Sequence, residues 1–489
     1  MERNAKRILA LVIIAVIATG GIVGVIFLME NPPPYYVTPG VTGVSDDHMI
    51  KIGIVGPMDR SQGETTWQGA FLGAKEINEA GGVDVNGTIY YIGLTKEDTK
   101  ELADTLAPDV YQGAVNRLLD VKKAEYIVGG YRTEAVLGYI DLVMDAQKLF
   151  LGTGCASDNL SALVAGDHDT YKYWFRSMPH PSSAQGTDIF TFLGYITHPG
   201  TGLMMQAFMQ GLWNLTYPYE RNITRLAMVY EPKQWAIDIA GALDPLTIQY
   251  GLNGLFGCHI ESVTSTLLDP LADWTTQINN VMATQPQIVI PVLSDYLSND
   301  FLAAIQAYTA GPKPFIAGID VDCQEADKWT RSGGDVEGVV FTSSDAGLNV
   351  SYSNMTVPFC NAYYEQTHGD RPLYTATGAY DAMYLLKYAL ENTDSFNVTG
   401  LIAEMESWTT GNPLINATAA SPYFAFTATH DPQAGLGYYQ IMWGQWQADQ
   451  QMWCIPAGQA FGNYPDSLAQ KTIELPDELW GTPANPFPP

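Results

Sequence analysis

The chain has 489 residues, 46% of them hydrophobic and 16% charged, enough to bury a sizeable core and long enough for two lobes rather than one. Asp and Glu number 52 against 24 Lys and Arg, a formal net charge of -28. So large an acidic excess repels phosphate backbones, and no nucleic-acid partner is expected.

Residues 8–29 form an uncharged apolar run. At about 1.5 Å per residue it reaches roughly 33 Å, enough to cross a bilayer. Arg3, Lys6 and Arg7 precede it and uncharged or acidic residues follow, so positive-inside bias leaves the N-terminus in the cytoplasm and the remainder outside. A cleaved signal peptide is the rival reading. The run exceeds the usual length of such a segment, and the small residues Ala18, Thr19 and Gly20 lie inside it rather than after it. Residues 1–30 are therefore expected to be a cytoplasmic stub and an N-terminal transmembrane helix that ties the protein to the membrane. Asn-X-Ser/Thr sequons at Asn86, Asn159, Asn214, Asn222, Asn349, Asn354, Asn397 and Asn416 suit an extracytoplasmic, glycosylated surface. Cys155, Cys258, Cys323, Cys360 and Cys454 lack CxxC spacing, so they form no recognisable zinc or redox motif, and their odd number leaves at least one outside any intrachain disulfide.

Residues 31–48 hold Pro32, Pro33, Pro34 and the Pro39-Gly40 pair, which predicts a semi-extended spacer. Strand-like and helix-like runs then alternate: strands at 50–55, 90–94, 126–128 and 150–151, helices at 66–80, 106–119 and 135–146. A second series follows. It places a helix at 183–195, strands at 226–230, 257–263, 287–292, 314–317 and 339–342, and helices from Trp235, at 274–284 and at 299–308. Helices at 358–367 and 375–392 come after it. Alternation of this kind belongs to βαβ units around parallel sheets. The expected fold class is α/β, two Rossmann-like lobes joined by a multi-crossover hinge: 49–175 with 343–425 as lobe 1, 176–342 with 426–455 as lobe 2, and 456–489 as a C-terminal tail.

Little in the chain speaks for chemistry. The seven histidines show no HExxH or His-x-x-x-His spacing, so no metal-ligand set and no cofactor are expected. No P-loop, Gly-x-Ser-x-Gly elbow or dinucleotide fingerprint follows a strand. Cys155 would need a neighbouring base to act as a nucleophile, and the bland alternative is a small buried hydrophobe.

The run Ile50-Lys51-Ile52-Gly53-Ile54-Val55-Gly56-Pro57-Met58, followed by Gln68-Gly69-Ala70, Ala74 to Val83 and Asn86-Gly87, resembles the opening of branched-chain amino-acid binding proteins of ABC transporters. The likeness continues through Tyr126 to Gly130, Ala227 to Tyr230, Gly318-Ile319-Asp320, Val336 to Val339 and Ala379-Tyr380-Asp381-Ala382, covering about residues 49 to 455. The resemblance implies a type I periplasmic binding protein fold that holds a small-molecule ligand between its lobes, for delivery to an ABC transporter permease. It further implies that hydroxyls and helix N-termini hold the ligand carboxylate and an acidic residue of the second lobe holds its ammonium.

Carried over by position, Thr133, Cys155, Ala156 and Ser157 fall on the carboxylate-binding turns, Asp320 on the ammonium partner, Trp235 on the aromatic lid and Tyr296 on a further wall. Arg132 adds a guanidinium that would suit an acidic ligand, or else makes an ordinary salt bridge. Thr133 and Ser157 equally suit helix N-caps, Asp320 a turn after a strand, and Trp235 core packing. A ligand-sensing ectodomain for amides or amino acids is the alternative function. With few residues before Ile8 and no second apolar run, a tethered binder is expected over a self-contained receptor.

Overall fold

The computed structural model describes residues 35–103, 105–197, 223–294, 297–343, 348, 350–455, 468–471 and 473–474. The chain divides into residues 1–37 and 38–489, and the first unit is described only at 35–37. The apolar run 8–29 and its expected membrane helix thus lie outside the described residues, among which no helix is long and apolar enough to cross a membrane. Residues 38–48, expected within a free spacer, are in part docked: the buried Asn78 amide donates to the Pro39 carbonyl at 2.9 Å and to Ile92 O at 3.0 Å.

The first series of elements is β1 (Met49–Gly56), α1 (Ser61–Glu79), β2 (Val83–Val85), β3 (Thr88–Asp98), α2 (Pro108–Asn116), β4 (Tyr126–Gly129), α3 (Thr133–Asp145), β5 (Leu149–Gly152), α4 (Asp158–Gly166), α5 (His168–Tyr171) and β6 (Trp174–Arg176). The strands form one sheet in the order β2-β3-β1-β4-β5-β6, parallel except for the β2–β3 pair. Strands buried on both faces, such as Tyr126–Gly129 and Leu149–Gly152, read as continuous apolar runs because helices cover the sheet on either side.

The second series is α6 (Ser182–Thr197), β7 (Arg225–Tyr230), α7 (Gln234–Ala242), α8 (Pro245–Phe256), β8 (Ser262–Leu267), α9 (Trp274–Met282), β9 (Ile288–Leu293), α10 (Leu297–Ala307), β10 (Phe315–Asp320), α11 (Lys328–Arg331) and β11 (Val340–Ser343). The chain then adds α12 (Thr356–Thr367), α13 (Tyr374–Thr393), α14 (Val398–Ser407), β12 (Leu414–Ile415) and β13 (Tyr423–Phe424), and finally β14 (Met442–Gln447) and β15 (Gln451–Cys454). The second sheet runs β15-β14-β11-β10-β9-β7-β8, its last two strands in chain order added antiparallel at one edge. Each sheet has its own core, the first shared with α13 and α14 and the second with α6 to α10. The chain therefore passes between lobes three times: after β6, after β11 and before β14.

Most expected elements are present, displaced at their ends by a few residues. The strand expected at 257–263 instead occupies Ser262–Leu267, because Gly257 adopts a left-handed conformation that closes α8 and the chain needs the following residues to turn. The helices α4, α5, α8, α11 and α14, the short strands β2, β6, β12 and β13 and the β14–β15 hairpin are additional to the expected set.

Candidate ligand-binding site

In sheets of this kind ligands bind beyond the carboxyl ends of the strands, where the strand order reverses. Here β1 separates β3 from β4 and β7 separates β8 from β9, and the two reversal points open toward one another. The turns after β4, β5, β7, β9 and β10 supply Tyr131 and Arg132, Gly154 and Ala156, Lys233 and Trp235, Ser294, and Val321 and Gln324 to one cavity, with Tyr374 at the head of α13. The Gly129–Gly130 turn makes this possible. At φ +126° Gly129 lies against the β1 backbone, and a Cβ there would sit 1.9 Å from Val55 O.

The lobes are closed. Tyr131 donates its phenol to Ser294 O at 2.9 Å, Gln234 N–H meets Glu134 Oε1 at 3.1 Å, Ser157 Oγ bonds Asp238, and Ser61 Oγ lies 2.6 Å from Glu325 Oε1. The cavity left between them is about 40 Å³. A water needs roughly 10–15 Å³ of such space, so the cavity holds a few waters and a larger solute must part the lobes to enter.

Its charged lining is cationic on both sides: Arg132 from lobe 1 and Lys233 from lobe 2, with Tyr131, Trp235, Tyr374, Ile319, Val321 and Ile441 as the apolar body. Lys233 Nζ is held 2.8 Å from Ser294 Oγ and 2.8 Å from the buried carboxylate of Glu231, whose other oxygen accepts the Trp235 indole N–H at 2.9 Å. One buried acid thus orients both the ammonium and the lid aromatic. Arg132 Nε lies 3.3 Å from Glu134 Oε2.

The N–H groups of Tyr131 and Arg132 point at Glu101, at 3.2 and 3.3 Å. Burial pushes that carboxyl up to about 7 in spite of both bonds.

Of the residues expected from sequence, Arg132, Ala156 and Trp235 line the cavity. Thr133 opens α3, and its hydroxyl is buried with no hydrogen-bond partner among the described residues. Ser157 caps α4, accepting Asn159 N–H at 3.2 Å while bonding Asp238 across the cleft. Cys155 is packed in the lobe 1 core, where burial pushes its thiol up to about 12, and it has no place in the cavity lining. Asp320 is likewise absent from the lining. At the end of β10 the alternation turns Ile319 toward the cavity, which Val321 of the following turn also lines, and sends the Asp320 carboxylate into the lobe 2 interior, 2.6 Å from Ser298 Oγ. Tyr296 lies outside the described residues.

Tyr131 lies within the turn that the resemblance assigns to carboxylate binding, whereas Lys233, Ser294, Gln324 and Tyr374 come to the cavity unannounced by any motif. Lys233 and Ser294 follow a predicted strand by two or three residues and Tyr374 heads a helix, while Gln324 lies seven residues past the strand expected at 314–317.

The family model for periplasmic binding proteins matches residues 49–445 of the chain. An amino acid binding protein from Pseudomonas aeruginosa is 29% identical over 139 residues, which span 24% of this chain and 35% of that relative. A leucine binding protein, LivK, from Thermotoga maritima superposes with a TM-score of 0.60 at 15% identity, covering 83% of this chain and 97% of the other. A putative branched-chain amino acid ABC transporter protein from Silicibacter pomeroyi does so with a TM-score of 0.63 at 17% identity, covering 87% and 98%. With the matched segment taking in the whole first sheet, the second as far as β14 and the turns that meet in the cavity, the chain belongs to the periplasmic binding protein family, a type I fold of binders rather than enzymes.

Proposed function

We propose that this protein is an extracytoplasmic, membrane-tethered solute-binding protein that captures an amino acid or amino-acid-like carboxylate between its lobes for delivery to an ABC transporter permease. The observation that carries the reading is the cavity's pairing of Arg132 and Lys233, one from each lobe, over an aromatic and aliphatic body, with no acidic side chain among the described residues of the lining. A carboxylate entering there meets a charge from each side, so its binding draws the lobes together. The names of the relatives, an amino acid binder and a leucine binder, support the same ligand class. For the extracytoplasmic placement, the support is the apolar run 8–29 and the exposure of every sequon asparagine among the described residues. Retention in the membrane fraction after an alkaline wash tests the tether.

The test of ligand capture is calorimetric titration of the full chain with branched and aromatic amino acids, aromatic carboxylates, amides and sugars. Losing one charged hydrogen bond costs about 1.5–3 kcal/mol, so Lys233→Met and Arg132→Gln are each expected to weaken a carboxylate ligand roughly 10- to 100-fold. Asp320→Asn is expected to lower stability and leave affinity within about twofold. Tight binding of a sugar or amide that both cation variants leave unchanged would end the carboxylate reading.

A further inference from the structure

Three side chains that the cleft does not use meet on lobe 1: His168 at the start of α5, Glu406 in the last turn of α14, and His430 in the segment between β13 and β14. Their ligating atoms all lie within 4.8 Å of one another, the one such His/Cys/Asp/Glu group among the described residues. The His430 ring is buried and lies flat on Phe175, ring centroids 4.0 Å apart. Its Nδ1 is 2.8 Å from the Trp174 carbonyl, which can only accept, so Nδ1 carries the hydrogen. In the neutral ring the Nε2 lone pair then faces Glu406 Oε1 at 3.1 Å, and that carboxylate also only accepts. His168 Nε2 approaches the same oxygen at 2.7 Å. Two imidazoles converge on one carboxylate oxygen, and something positive has to stand among them: either a proton or a metal ion.

We infer that His168 Nε2, His430 Nε2 and Glu406 bind a divalent transition-metal ion, Zn²⁺ being the best match. Two imidazoles and one carboxylate suit a borderline ion and leave a position for water. A carbonyl holding Nδ1–H is the usual outer partner of a metal-bound histidine, since it fixes the tautomer that presents Nε2. Tetrahedral bonds of about 2 Å place neighbouring ligand atoms roughly 3.3 Å apart. The contacts at 3.1 and 2.7 Å are shorter than that by about 0.2 and 0.6 Å, so binding an ion spreads the three side chains slightly. The His168 and Glu406 side chains are 50% and 34% exposed, so an ion reaches the site from solvent without unfolding the lobe. A bound ion would also tether two interlobe connections. Arg176 N–H bonds the His430 carbonyl at 2.9 Å and its guanidinium pairs with Asp431 at 3.0 Å, joining the segment that leaves β6 to the one that runs to β14.

The test is titration of the full chain, stripped with EDTA, with Zn²⁺, Co²⁺ and Ca²⁺, followed by calorimetry and thermal melting. One equivalent of Zn²⁺ is expected to bind at micromolar Kd or tighter and to raise Tm reversibly. Co²⁺ should give visible absorption bands with imidazole character, and Ca²⁺ should do neither. His168→Ala and Glu406→Gln lie at the exposed edge and are expected to fold as wild type does, each weakening Zn²⁺ at least 10-fold while leaving cleft-ligand affinity unchanged. The proposal falls if stripped wild type binds no stoichiometric Zn²⁺, if both variants bind it as wild type does, or if Ca²⁺ competes equally. The last two outcomes would place the ion on the acidic surface, and the first would leave the three side chains as a hydrogen-bonded cluster without an ion.

Discussion

Glu101 lies fully buried beneath the turn from β4 to α3, with two backbone N–H groups directed at its carboxylate. Those bonds favour the ionised form, but burial outweighs them and pushes the group from its ordinary 4.5 up to about 7. Because the folded value lies above the unfolded one, the folded state holds a proton that the unfolded chain releases between the two. The stability so gained is fully present below pH 4.5 and is lost as pH rises through about 7, an amount on the order of 3 kcal/mol. Glu101→Gln is expected to flatten the fall in Tm between pH 5 and 7.5. A variant whose Tm falls over that range as steeply as wild type would show Glu101 ionised throughout. None of this was legible along the chain, where Glu101 is one acid in a polar stretch and its burial depends on residues some thirty positions away. Arg132 and Trp235 were legible through the family resemblance, which implies that the segments after the strands at 126–128 and 226–230 face a cleft.

At the level of elements, the contact between α1 and α13 shows what a helical glycine does in the family-like segment Gln68-Gly69-Ala70. A Cβ on Gly69 would stand 2.0 Å from the Ala376 carbonyl oxygen, so the two helices approach to a distance that only hydrogen permits. Gly69→Ala is expected to destabilise by about 1–3 kcal/mol through forced separation of α1 and α13. Gly113→Ala in α2, where the nearest atom is the Arg117 guanidinium at 3.5 Å, should instead stabilise by roughly 0.4–1 kcal/mol. Urea denaturation of the pair checks both signs, and equal effects would refute the packing account. Asp381, in the Ala379-Tyr380-Asp381-Ala382 segment of the same α13, accepts the backbone N–H groups of Ala419 and Ala420 at 2.6 and 3.1 Å, so it holds a loop and not a ligand.

Across the whole molecule, closure rests on a few polar contacts between lobes, among them the Tyr131 hydroxyl on Ser294 O. Removing that hydroxyl in Tyr131→Phe should disfavour the closed form by about 1 kcal/mol, roughly a fivefold shift toward open lobes. Small-angle scattering or a fluorophore pair across the cleft would register it as a larger mean lobe separation without ligand. An unchanged separation would mean that the Tyr131 hydroxyl contributes nothing to closure, leaving it to the other interlobe contacts. The sequence by itself determined the α/β class and the order of most strands and helices, because apolar periodicity and glycine placement act over a few residues, and its family resemblance implied which turns face the cleft. Only the tertiary structure decided which side chains face the cavity, since one step along β10 exchanges Ile319 for Asp320 and turns a carboxylate from cleft to core. The same holds for His168, Glu406 and His430, which no sequence spacing joins. They meet because the segment carrying His430 packs on β6, which brings it beside His168 and Glu406, and convergence across hundreds of residues is set by packing rather than by any local pattern.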